Sequence, residues 1–153
     1  MGVSGAGKTT VGRLLADRLG GEFLDGDDFH PSANIRKMSK GESLTDRDRR
    51  PWLKRIMKAV IERKGGAPTV VACSALKEAY RDQLAEVPYQ LIYLKGTQEE
   101  IEPRLRTRTG HFMPANLLSS QFLALEEPED ALIVPATWKV DEIIDYIVGN
   151  RLL

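Results

Sequence analysis

The 153-residue chain lacks what would send it to a membrane, a disulfide framework or a nucleic acid. No uninterrupted apolar run approaches the roughly 18–20 residues a bilayer span needs, and the N-terminus carries no charged-then-apolar signal segment. Cys73 is the only cysteine, so no internal disulfide can form, which fits a reducing, cytoplasmic setting. Lys plus Arg equal Asp plus Glu at 22 each, so no overall basic field argues for a nucleic-acid partner, and any cation cluster must be local. Repeats, low-complexity tracts and linkers are missing too. With 42% apolar and 29% charged residues, the length suits one domain around one core, residues 1–153.

What is present is an alternation of short apolar runs and longer segments of helical period. Residues 23–25, 69–73, 90–94 and 132–134 read as buried strands, rich in β-branched and aromatic side chains. Val11, Leu14, Leu15 and Leu19 share one helical face, and Gly20 with Gly21 supplies the stop. The same spacing recurs in Leu53, Ile56, Met57, Val60 and Ile61, and again in Val140, Ile143, Ile144, Ile147 and Val148. Apolar strands separated by helices imply a three-layer α/β domain with a parallel sheet covered on both faces.

Gly2-Val3-Ser4-Gly5-Ala6-Gly7-Lys8-Thr9 fits the phosphate-loop pattern G-x-x-x-x-G-K-[ST] without departure. Glycines let successive backbone N–H groups close around a phosphate, and the helix starting near Lys8 points its positive end at the same anion. Residues Gly2 to Thr10 are therefore the expected ATP-binding segment. Lys8 would reach the β- and γ-phosphates, and the Thr9 hydroxyl would ligate Mg²⁺. A strand ordinarily precedes such a loop, and here only Met1 does. Two readings follow: a start that omits a few residues, which is favoured, or a gap between two half-sheets.

Further absences narrow the class. No Asn-Lys-x-Asp base-reading segment marks a GTPase, and no Ser-Gly-Gly signature marks an ABC-type ATPase. A small-molecule kinase needs an acceptor pocket beside the loop and a cationic lid that excludes water. Asp25-Gly26-Asp27-Asp28 leaves a strand at the edge where open α/β folds bind ligands. One of these carboxylates can hold Mg²⁺ through water and another can take a proton from the attacking hydroxyl.

Phe29-His30-Pro31-Ser32-Ala33-Asn34-Ile35-Arg36-Lys37-Met38 comes next, then Asp46-Arg47-Asp48-Arg49-Arg50-Pro51-Trp52-Leu53. With Ala72-Cys73-Ser74-Ala75-Leu76-Lys77, Tyr80-Arg81-Asp82, Gly110-His111-Phe112-Met113 and Gln121-Phe122, the chain resembles the thermoresistant-type gluconate kinases almost end to end. The resemblance implies an ATP:gluconate 6-phosphotransferase with a nucleoside-monophosphate-kinase-like fold, often a homodimer. It also implies Asp27, rather than Asp28, as the residue that orients or deprotonates the acceptor hydroxyl, with Asp25 on the metal. Gluconate carries a carboxylate and many hydroxyls, so Arg36, Lys77 and Arg81 are expected on the acceptor side, with His30 as a further hydrogen-bonding group. Cys73 reads as packing rather than nucleophile.

Arg104 and Arg108 lie four residues apart on one helical face and are expected to reach the transferring phosphoryl group from a mobile lid over residues 110–128. Arg106 would be solvated, and His111 would position the lid. Pro103 falls inside that helix, so the helix either begins later or kinks. The rival readings are a kinase for shikimate or another hydroxy acid, although no Gly-Gly-Gly acceptor segment is present, and a nucleotide-binding module without turnover.

Overall fold

The computed structural model describes residues 1–63, 66–107 and 117–150. Helix α1 (Lys8–Leu19) starts at Gly7, whose φ of 97° only glycine adopts without strain, and buries Val11 and Leu15. Leu14 instead stays 42% exposed, so the inward face of α1 is narrower than the apolar spacing suggested. Strand β1 (Glu22–Asp25) pairs in parallel with β2 (Thr69–Ala72), Glu22 opposite Thr69 and Asp25 opposite Ala72. Strand β3 (Ile92–Lys95) pairs in parallel with β4 (Leu132–Pro135), Ile92 opposite Leu132. The third strand therefore begins two residues later than its apolar run. Each strand is as short as expected, and their carboxyl ends point to one edge.

Among the described residues the sheet is divided in two, β1-β2 and β3-β4. Met1 and Gly2 bridge the halves. The Met1 nitrogen donates to the Ile92 carbonyl and its carbonyl accepts from Leu94 N at 3.0 Å, which is a parallel-strand pairing opposite Tyr93. On the other side Gly2 N donates to the Ser74 carbonyl at 3.3 Å. An apolar cavity of about 720 Å³ continues between the halves, walled by Val11, Leu15, Val70, Val71 and Ile92. The described residues thus leave a gap between the half-sheets, which both readings of the start entail.

Helix α2 (Ser32–Ser39) and helix α3 (Asp46–Glu62) follow β1 through a short 3₁₀ turn, Gly26–Phe29. A capping box starts α3: Asp48 N donates to Thr45 Oγ1 at 3.2 Å and Thr45 N donates to Asp48 Oδ2 at 2.9 Å. Trp52, Leu53 and Ile56 then form a core with Cys73 and Tyr80, the latter on α4 (Glu78–Leu84). Ile61, expected on the same face, is 44% exposed.

A second capping box, Thr97 with Glu100, starts α5 (Gln98–Arg106). Pro103 sits inside that helix, so of the two alternatives the later start is excluded. The cap and the burial of Ile101 and Leu105 on either side outweigh the backbone donor that proline removes. Helix α6 (Leu118–Ala124) and helix α7 (Val140–Asn150) complete the fold. Ile143, Ile144 and Ile147 of α7 enter the larger core with Leu15, Leu94 and Val134, as their spacing predicts.

Trp52 is 1% exposed, and its Nε1 donates to the Gly26 carbonyl at 2.6 Å, fixing the turn that carries Asp27. Trp52→Phe keeps most of the apolar volume but leaves that carbonyl without its donor. Urea unfolding should show a loss of about 1–3 kcal/mol with an unchanged m-value; an unchanged midpoint would mean the bond does not hold the turn.

Candidate active site

The phosphate loop is built from both sides of the fold. Val3 and Ala6, at 2% and 1% exposure, are not ligand-facing; they anchor the loop in the larger core. Gly5 has φ 83°, and a Cβ there would lie 2.9 Å from Leu105 Cγ, so the loop can press against α5 only with glycine at that position. Ser4, Gly5, Gly7, Lys8, Thr9 and Thr10 line a cleft of about 180 Å³. Gly2, Val3 and Ala6 of the expected nucleotide segment do not line it. The Lys8 ammonium donates to the Val3 carbonyl at 2.8 Å, lying across the loop it serves.

Two expected metal-binding groups meet directly. The Thr9 hydroxyl donates to Asp25 Oδ2 at 2.9 Å, while Asp25 Oδ1 accepts from Asp27 N at 3.1 Å. A hydroxyl and a carboxylate side by side are hard oxygen donors of the kind Mg²⁺ prefers, with phosphate oxygens and water free to supply the rest of an octahedron. No group of three or more acidic, His or Cys side chains that could hold a metal by itself occurs among the described residues. The donor set fits a cation brought in with a nucleotide. Asp27 lines the cleft with Asp25, whereas Asp28 is exposed outside it.

His30 also lines the cleft, stacked on Trp52 with ring centroids 4.3 Å apart, its Nδ1 3.3 Å from Asn34 Nδ2. Burial, and secondly the Arg49 guanidinium, push its pKa down to about 4. At neutral pH it is therefore an uncharged hydrogen-bonding group, neither a cation nor a proton donor held in reserve.

The cations are distributed differently from the expectation. Arg36, Lys77 and Arg81 are not among the cleft-lining residues; Arg49 and Arg104 are. Arg81 is 8% exposed and donates to the carbonyls of Ala75, Leu76 and Glu126, each at 3.1 Å. It clamps the loop after β2, where Ala75 takes the left-handed φ of 44°. Lys77 pairs with Asp46 at 2.9 Å, and Asp46 accepts the Tyr80 hydroxyl, to which Arg49 donates at 3.2 Å. Lys77 is thus linked to the cleft-lining Arg49 through Asp46 and Tyr80. Arg36 lies on an exposed position of α2.

Arg49, which no motif singles out, is legible from its helical position. It shares a helical face with Trp52, Leu53 and Ile56, and a cation on an otherwise buried stripe points inward. Its Nη1 donates to the Leu44 carbonyl at 2.6 Å. Gln121 falls with Leu118, Phe122 and Leu125 at the same kind of spacing, a polar residue on an apolar face. On the other wall, Arg104 faces the cleft while Arg106 turns away and pairs with Glu102 at 3.0 Å, as expected from its half-turn offset. Arg108 and His111, and part of the expected lid, lie outside the described residues. Cys73 is buried in the smaller core, and burial pushes its thiol up to about 11, so it packs and does not attack.

A glycine-shaped anion loop, a hydroxyl–carboxylate pair beside it and arginines on two walls define a P-loop kinase acting on a small molecule. A profile of the shikimate kinase family matches residues 4–127. The chain is 50% identical to the gluconokinase of Gluconobacter oxydans, covering 85% of this chain and 75% of that protein. It is 42% identical to the thermoresistant gluconokinase of Escherichia coli, covering 99% of this chain and 89% of that protein. A crystal structure of a gluconokinase from Sinorhizobium meliloti superimposes with a TM-score of 0.85 at 41% identity, over 97% of this chain and 87% of that one. The chain belongs to the gluconokinase family, within the shikimate-kinase-like P-loop phosphotransferases.

The depressed His30 has a consequence for stability. Below its ordinary value of 6.5 the unfolded chain takes up a proton that the folded chain refuses until about pH 4. Stability is therefore lost as pH falls through that window and is insensitive to His30 above it. In urea titrations the wild type should weaken from pH 6.5 to 4 more steeply than His30→Gln; parallel curves would place His30 in solvent.

Proposed function

We propose that this chain transfers the γ-phosphate of ATP to the 6-hydroxyl of D-gluconate, giving 6-phosphogluconate and ADP. One observation carries the reading: a single cleft is lined by the phosphate loop, by Asp25 and Asp27, and by Arg49 and Arg104. The names of the relatives supply the acceptor. The cleft chemistry supports it, because a guanidinium in a half-buried wall grips a carboxylate bidentately and favours a sugar acid over a neutral sugar.

Each residue has a part in this reading. Loop amides and Lys8 bind the β- and γ-phosphates. Thr9 and Asp25 would hold Mg²⁺, which when bound offsets phosphate charge. Asp27 takes the proton of the 6-hydroxyl as the new oxygen–phosphorus bond forms and the bond to the ADP oxygen breaks. Arg104, with Arg108, offsets charge on the group in transfer. Arg49 holds the gluconate carboxylate, His30 accepts or donates to its hydroxyls, and Lys77 keeps Arg49 in place through Asp46 and Tyr80. Arg36 and Arg81 belong to the frame around the acceptor rather than to its first contacts. A lid over residues 110–128, a homodimer and a cytoplasmic setting complete the proposal; the lone, buried Cys73 is compatible with that setting.

The test is ADP release with Mg·ATP against gluconate, shikimate, glucose and AMP, beside a control without acceptor. Release that depends on gluconate is expected; a preference for another acceptor, or none, overturns the substrate. Arg49→Lys should raise KM for gluconate about tenfold and leave KM for ATP nearly unchanged, since an ammonium cannot make the paired bonds. Asp27→Asn should lower kcat by about 100-fold or more.

A further inference from the structure

The backbone amide of Ser4, in the middle of the phosphate loop, donates to the side-chain Oε1 of Gln121 at 2.7 Å. Both residues are 7% exposed, and both line the cleft with Lys8, Asp27 and Arg104. The two residues are 117 positions apart in sequence. A loop amide that could turn toward an anion is thus held by a side chain from a distant helix. Buried amides are nearly always satisfied, so the bond fixes the Ser4 peptide plane and not merely its position.

Helix α6 and its flanks are tied to three further parts of the fold around the site. Ser43 Oγ, in the loop between α2 and α3, donates to Ser120 Oγ at 3.0 Å. Leu117, just before α6, packs with Met38 and Leu44, and Leu44 carries the carbonyl that seats Arg49. Gln98 Nε2 on α5 donates to Ser119 Oγ at 2.7 Å, linking α6 to the helix of Arg104. Just past α6, Glu126 N donates to the Leu76 carbonyl at 2.8 Å and Glu126 Oε2 accepts from Glu78 N at 2.7 Å. Gln121 is where this brace reaches the nucleotide loop.

We propose that Gln121 is a positioning residue of phosphoryl transfer, which sets the Ser4 peptide plane and so keeps the donor loop in register with the acceptor wall and with Arg104. The assignment rests on the ATP:gluconate reading for its consequence in turnover, while its effect on ATP binding stands without an acceptor. Its substance is a hydrogen-bond acceptor at one point in space. Packing volume there is secondary, and the two can be separated.

Gln121→Met keeps length and packing but removes the acceptor; Gln121→Glu keeps the acceptor oxygen. Hydrogen exchange of the Ser4 amide, followed by NMR on the full chain, should accelerate in the Met variant and remain protected in the Glu variant. ATP binding without acceptor, by calorimetry, should weaken about tenfold in the Met variant, the effect of losing one buried hydrogen bond. In steady state the Met variant should lose kcat and raise KM for ATP while KM for gluconate moves less than about twofold. Ser4 exchange and ATP affinity unchanged in Gln121→Met would overturn the proposal, as would equal loss of Ser4 protection in both variants. Failure of the wild type to use gluconate, with ATP binding still dependent on Gln121, would sink the substrate reading alone.

Discussion

The rest of the site depends on one constraint: a ring of backbone N–H groups must stay open toward an anion while everything behind it is buried. The loop closes on itself only at the Val3 carbonyl, which accepts from Ala6 N at 3.3 Å and from the Lys8 ammonium at 2.8 Å. The rest of it is fixed from outside. Val3 and Ala6 sink into the larger core, Gly2 N bonds the Ser74 carbonyl, the Thr9 hydroxyl bonds Asp25, and Gln121 takes the Ser4 amide. Each tether comes from a different element. The cradle is consequently as rigid as the fold around it, and pre-formed donors are worth more to a transferring phosphoryl group than donors that must be gathered.

How much of this could be read in advance follows from the range of each interaction. The phosphate loop, the α1 stop and the α7 face are local patterns, fixed by φ preferences and by helical spacing, and each lies where its residues put it. The carboxylates after β1 were legible because a strand end and a sheet edge are also local facts. The arginines were not. Whether Arg81 meets a ligand or three carbonyls depends on the loop at Ala75 and on Glu126, 45 residues later. Arg49 needed a weaker inference, that a cation on a buried stripe is there for a reason. Gln121 offered the same weak signal, a polar residue on the apolar face of Leu118 and Phe122, but nothing local to name its partner at the other end of the chain.

The arginines also show how one side chain serves opposed purposes in a small domain. Arg81 spends its donors on backbone carbonyls and holds a left-handed residue in place. Arg49 spends part of its donors on Leu44 and Tyr80 and turns its remaining capacity to the cleft. Guanidinium supplies five donors in a fixed plane, so it can be anchored and still recognise. Structural and recognition roles here are divided by position: Arg49 lines the cleft and Arg81 does not.

The divided sheet has a consequence for cohesion. The half-sheet β1-β2, with α2 to α4, supplies Asp25, Asp27, Ala72 and Ser74 to the cleft, while Arg104 and Gln121 come from the side of β3-β4. Between the halves, behind the cleft, lies an apolar cavity and a bridge of two residues. A molecule in the cleft therefore touches elements from both sides at once and acts as a rivet, adding its binding free energy to the cohesion of the fold.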